Sequence, residues 1–147
     1  MSAPSLAERF DAGVAQSFLR SNDRVTGLPK YLGLRIVDVG PGTLVAEMEV
    51  REDLLTPFKT MHGGVISALC DHVLGCVCYP LMTRGQWAAT TEFKVNLLAP
   101  VTRGVLAANA TVMSMSKSQA VVRIDVVNEG RLAAVAQGTV TIRDPKD

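Results

Sequence analysis

The chain is 147 residues long, enough for one domain with a hydrophobic core and too short for a second of comparable size. With 48% apolar residues, 20% charged residues and a formal net charge of +1, it has a globular balance and no basic field of the kind that holds nucleic acid. Aromatics make up 5% of the chain, so no base-stacking platform is available and aliphatic side chains must fill the core.

Leu6, Phe10, Val14, Phe18 and Leu19 follow a helical period and predict a helix over Leu6 to Leu19 that packs across the body of the fold. Glu8, Arg9 and Asp11 interrupt its apolar positions, which argues against an export signal. Residues 1–30 are read as an N-terminal helical segment and residues 31–147 as the main domain. From Leu32 to Val50 the pattern is strand-like, and Gly40-Pro41-Gly42 in its middle predicts a hairpin. After a loop containing Pro57, a long apolar segment opens at His62-Gly63-Gly64 and runs as a helix to about Leu81, where Pro80 and Gly85 mark its end. Asp71, His72 and Pro80 break its apolar runs, so a helix buried in protein explains it better than a membrane span.

Such a helix needs protein around most of its circumference. The rest of the chain supplies strands: Trp87 to Leu98, Gly104 to Met115, Gln119 to Val127 and Leu132 to Ile142. Short turn-like connections at Ala99-Pro100, Met115 to Ser118 and Asn128-Glu129-Gly130 predict an antiparallel meander. The expected fold is α+β, one antiparallel sheet curled around one long helix. Cys70, Cys76 and Cys78 all fall in the helical segment, an odd number with no adjacent base, and read as reduced core residues of a cytoplasmic protein.

The central helix also carries the candidate chemistry. Gly63 and Gly64 stand at its N-terminus, where unpaired backbone N–H groups and the helix dipole can hold a developing oxyanion and where glycine permits close approach. Asp71 lies mid-helix, too far from either end to be a cap. A buried carboxylate there reads as a general base or nucleophile kept reactive by desolvation, or as a structural acid bonded to Ser67 or His72. His62 is a candidate for catalysis or, through its ring hydrogen bonds, for fixing the loop before the helix. His72 points about 100° away from Asp71 and is expected to pack. Two histidines without a carboxylate or thiolate cluster give no zinc site, and neither metal nor cofactor is expected.

Nine residues separate His62 from Asp71, which is about 13 Å along a helix axis, whereas one reacting carbonyl must lie about 3 Å from both groups. One helix cannot serve both roles at one carbonyl. If both groups are catalytic, the amides of one subunit must meet the carboxylate of another, so a two-fold homodimer with composite sites at its interface is expected, with a dimer of dimers as its extension.

Thr60-Met61-His62-Gly63-Gly64 followed by Asp71, with Phe93-Lys94-Val95-Asn96-Leu97-Leu98-Ala99-Pro100 and Ala136-Gln137-Gly138-Thr139-Val140 downstream, resembles the hotdog-fold acyl-CoA thioesterases of the phenylacetate-degradation (PaaI-like) type. The likeness covers roughly Leu32 to Ile142. It implies a hotdog fold and an acyl-CoA substrate whose coenzyme A moiety is the only cofactor present. Carried over residue by residue, it implies that Gly63 N–H polarises the thioester carbonyl, Asp71 is base or nucleophile, Thr90 helps hold the water, and Lys117 lies near the coenzyme A phosphates; Arg103 and Arg84 are weaker candidates for that contact. The chain departs from the pattern at Thr56, where an Asn or Gln usually orients substrate or water, and at Lys59, where a glycine is usual. A non-catalytic acyl-CoA binder is the alternative; a hotdog dehydratase needs a different acid and histidine arrangement.

Overall fold

The long apolar segment settles its burial on one side only. The computed structural model describes residues 3–145. Its central helix α4, Gly63–Cys76, buries Ile66, Leu69, Cys70, Val73 and Leu74, which recur at the helical period along one stripe. This stripe lies against a six-stranded antiparallel sheet made of β1 (Arg35–Gly40), β2 (Thr43–Glu49), β3 (Trp87–Leu97), β4 (Val105–Met115), β5 (Gln119–Asn128) and β6 (Arg131–Arg143). Small residues on the inner face, among them Ala46, Ala108, Ala110, Ala134 and Ala136, are buried under the helix, and Leu44, Met48, Leu106, Ile124 and Val140 fill the space around it. The α+β hotdog arrangement expected of the chain is the one observed. The stretch Gly63–Leu81 is long and apolar enough to cross a membrane by composition alone, and more than half of it is buried within the fold.

Two local expectations are corrected. The N-terminal helix is two helices, α1 (Leu6–Arg9) and α2 (Ala12–Arg20), because Asp11 between them caps the second: its Oδ1 accepts from the N–H groups of Gly13 and Val14. The Asp11 N–H donates to the Pro80 carbonyl at 2.7 Å, tying this joint to the end of the central helix. Helix α4 stops at Cys76, earlier than the expected Leu81, and a 3-10 turn over Tyr79–Leu81 carries Pro80 at its start. A third short helix, α3 (Gly27–Leu32), ends on Gly33 in the left-handed region and delivers the chain to β1.

The sheet is not a simple meander. Its order is β1-β2-β4-β5-β6-β3, so β3 pairs with β6 at the far edge while β4 returns to β2. Residues 98–104 make this crossing, too long for a hairpin, and they are held on the way: Leu98 and Ala99 N–H donate to Ala133 O, and Met61 N–H donates to Val101 O. The link therefore runs beneath the start of α4 and fixes the height of its N-terminus.

A β-bulge between Thr90 and Glu92 shifts the register of β3 on β6. Next to it Gly138 of β6 is buried, and a Cβ there would lie 2.6 Å from Glu92 O, 2.6 Å from Phe93 Cβ and 3.1 Å from Leu74 Cδ1. Helix, bulged strand and neighbouring strand all converge on the missing side chain. Gly138→Ala is expected to lower stability by about 2–3 kcal/mol, since backbone and packed strand must shift to admit the methyl; chemical denaturation checks it, and an unchanged midpoint would show that the three elements are not pressed together there.

Candidate active site

The stripe that α4 turns away from the sheet carries Gly64, Ala68, Asp71 and Gly75, none of them buried. No polar or charged side chain is buried among the described residues, so the expectation of a buried Asp71 is corrected: its carboxylate is exposed. The reason is that the sheet covers only one side of the helix. The structural reading of Asp71 also has no support, because Ser67 Oγ donates to Gly63 O at 2.9 Å instead. Among the described residues the Asp71 carboxylate accepts no hydrogen bond and joins no ion pair.

Asp71 opens into a groove of about 720 Å³ between α4 and β3. His72 and Thr90 line the same groove. Thr90 reaches it because its position opposite Val140, a buried inward residue, places it on the helix side of β3. Cys76 Sγ lies 3.6 Å from His72 Nε2. Burial lowers the pKa of His72, with the Asp71 charge opposing, and burial pushes the Cys76 thiol up to about 12, with Cys78 adding to the rise. The shifts run against a thiolate–imidazolium couple, so the pair is uncharged at neutral pH and Cys76 is no ready nucleophile. Burial likewise raises Cys70 and Cys78 to about 12, Asp71 adding to the rise at Cys70.

The other site residues gather at the start of α4. His62 is the N-cap, and its Nδ1 accepts from Gly64 N–H at 2.9 Å, which places the ring proton on Nε2. A Cβ on Gly64 would lie 3.0 Å from that nitrogen, so the second glycine makes room for the capping ring. Gly64 N–H is thus occupied, whereas Gly63 N–H donates to no described residue. Leu97 of β3 stands beside Gly63, and with Thr60, Ile66 and Leu98 it lines a separate shallow cleft of about 260 Å³. The two openings share no residue.

The loop before the helix explains both departures noted in the sequence. Thr56 N–H donates to Thr60 O at 2.7 Å, Lys59 N–H donates to Thr56 O at 2.9 Å, and Pro57 sits at the first corner of the resulting turn. The Thr56 hydroxyl accepts from Phe58 N–H and pairs with the Thr60 hydroxyl, so it is engaged within its own loop. Lys59 closes the turn with φ +62°, the left-handed region that favours glycine. Lys117 is exposed at the tip between β4 and β5, where Ser116 Oγ accepts from Ser118 and Gln119 N–H, and it pairs with no described carboxylate. Arg103 is paired with Glu129 at 3.3 Å, and Arg84 lies in a different groove beside α2.

Residues 58–135, more than half of the chain, match the thioesterase superfamily. The chain belongs to this superfamily. Among curated relatives, 1,4-dihydroxy-2-naphthoyl-CoA hydrolase of Listeria monocytogenes is 28% identical over 118 residues, covering 80% of this chain and 96% of the relative. Human acyl-coenzyme A thioesterase 13 is 25% identical over 130 residues, covering 86% and 87% respectively. The solved structure of a single-residue variant of the phenylacetic acid degradation protein PaaI from Thermus thermophilus is 32% identical with a TM-score of 0.70, covering 77% of this chain and 96% of that one. The PaaI-like resemblance therefore holds in sequence and in fold, and this thioesterase-superfamily chain is an enzyme of the thioester-hydrolase class.

Two features of the groove escaped the sequence reading: Gly75, one turn beyond Asp71 on the open face, and Tyr79, which lines it farther along. The signal for Gly75 was present as a helical glycine four residues after the acid. Lys59→Gly is expected to raise stability by about 0.5–1 kcal/mol through relief of the left-handed backbone, because the Lys59–Glu52 pair it removes is solvent-exposed and weak. Thermal denaturation checks the gain, and a loss would show that the lysine side chain contributes more than its backbone costs.

Proposed function

We propose that this enzyme hydrolyses acyl-CoA thioesters to the free acid and coenzyme A, with Asp71 activating water or attacking directly and Gly63 N–H of the partner subunit polarising the carbonyl. The observation that carries the reading is a carboxylate in an open groove, together with the helix-terminal Gly63 N–H beside Leu97 on another part of the same subunit, both without a hydrogen-bond partner among the described residues. Each half lacks what the other supplies.

As general base, Asp71 takes a proton from water held with the help of the Thr90 hydroxyl, and the hydroxide adds to the carbonyl carbon. The oxygen becomes negative and is stabilised by the Gly63 amide and the positive end of α4. The carbonyl re-forms as the carbon–sulfur bond breaks, and the proton on Asp71 passes to the departing sulfur. His62 and Gly64 shape the helix start, and Thr56 holds the loop beside it. Lys117, free of any described acid, is suited to the coenzyme A phosphates. Coenzyme A arrives as part of the substrate, so the reaction as written needs neither a metal nor another cofactor.

The homodimer is supported by the sheet itself. β3 is an edge strand of 11 residues, long enough to invite pairing with a second copy. Such pairing would bring the open face of one α4 near the start of the other, and a dimer of dimers would extend it. A cytoplasmic location suits three unpaired thiols. The competing reading, binding without hydrolysis, draws on the Thr56 hydroxyl being tied within its loop.

Asp71→Asn keeps the shape and removes the base. Its turnover in a thiol-release assay over an acyl-CoA panel is expected to fall about 10²-fold or more with an unchanged circular dichroism spectrum. Turnover close to wild type would remove Asp71 from the mechanism, and a wild-type protein that binds the panel but frees no thiol would favour the binder.

A further inference from the structure

The groove does not end at Asp71. It continues along the same face of α4 past Gly75 and Cys76 to Tyr79, with Ala88 and Phe93 of β3 on its other side. Gly75 lies one turn from Asp71, so the two share a face. No described residue of the subunit requires a glycine there. Its φ is not positive, and Val77 beyond it is still in the right-handed helical region, so Gly75 is no left-handed cap. A Cβ at Gly75 would meet nothing within 4 Å, in contrast to Gly138. Glycine in a helix costs backbone entropy relative to alanine. A residue that weakens its helix and leaves open space beside the acid keeps that space for something outside the subunit.

The far wall is fixed. Ala88 N–H donates to the Tyr79 hydroxyl at 3.4 Å, and the Tyr79 ring meets Phe18 of α2 edge-on, with centroids 6.1 Å apart and planes at 80°. The N-terminal segment thereby holds the end of the groove in place.

We propose that Gly75 sets the size of the acyl group: the tail of an unbranched or planar apolar acyl chain runs from the carbonyl at Asp71 over Gly75 and stops against Tyr79. This rests on the thioesterase reading above. An acetyl group is too short to reach a level about 6 Å from the acid, one helical turn away, whereas hexanoyl and phenylacetyl groups extend to it.

The test compares wild type, Gly75→Ala and Gly75→Val on acetyl-CoA, hexanoyl-CoA and phenylacetyl-CoA, with Tm and solution mass recorded for each. Gly75→Ala is expected to hold or raise Tm, keep the mass, leave kcat/KM on acetyl-CoA within about twofold, and lower kcat/KM on the larger esters about 10-fold; Gly75→Val lowers them further. Tyr79→Ala is expected to shift preference toward acyl chains longer than hexanoyl. Equal losses on all three esters, or an unchanged preference, would overturn the assignment. A Gly75→Ala protein with lower Tm or a dissociated assembly would overturn it differently, by showing that a partner's backbone covers the glycine. Wild-type protein that frees thiol from none of the esters would defeat the hydrolase reading itself, and is told apart because it precedes any effect of substitution.

Discussion

The packing of one stripe of α4 onto the small-residue face of the sheet governs the rest of the molecule. Ile66, Leu69, Val73 and Leu74 share one buried core with small residues of the sheet such as Ala108, Ala134 and Ala136. Gly138 completes the fit by letting the bulged part of β3 and Leu74 meet over β6. Once that stripe is buried, helical geometry decides the remainder: Asp71 must face away from the buried stripe, toward the edge strand β3 and open space. The acid's availability is thus a consequence of how the core is packed.

A second constraint acts at the helix start. His62, Gly63 and Gly64 form one device in which each residue has a separate physical duty: the imidazole caps Gly64, the absent side chain of Gly64 admits the imidazole, and the Gly63 amide has no partner among the described residues. A lone pair of glycines would leave both amides unfilled. With the histidine present, a single donor is presented. The surrounding loop, closed by Thr56 and Thr60 and turned through Lys59, holds that donor in register with the crossing segment beneath it.

Much of this was legible in the residues. The apolar run of the central segment announced a helix packed on a sheet, although only one of its sides is buried, and Gly40-Pro41-Gly42 announced the first hairpin. The strand order was harder to read, because the meander expectation treated the link after β3 as a hairpin and its backbone partners, Ala133 and Met61, lie far away in sequence. The N-terminal break at Asp11 was hidden by an apolar period that runs through both α1 and α2; only the cap geometry separates them. Burial of Asp71 was misjudged for a related reason: apolar neighbours in sequence were taken as apolar surroundings in space, yet on a helix Cys70 and Asp71 face different directions. The place of Gly75 in the groove was missed because periodicity weighs side chains and passes over a position that has none.

The central claim is that an acid of one subunit works with a helix-terminal amide of another. Co-expression of an Asp71→Asn subunit with a Gly63→Pro subunit, under two different tags, tests it most directly. Proline at the first helical position removes the amide hydrogen and suits the backbone of both the helix and the extended His62 before it, provided that the end of the Leu97 side chain, 2.7 Å from where the added Cβ would lie, turns aside. Each variant alone should be folded and nearly inactive. The doubly tagged species should regain up to about half of wild-type activity, because one of its two composite sites carries both groups intact. A doubly tagged species as inactive as its parents would contradict the composite site.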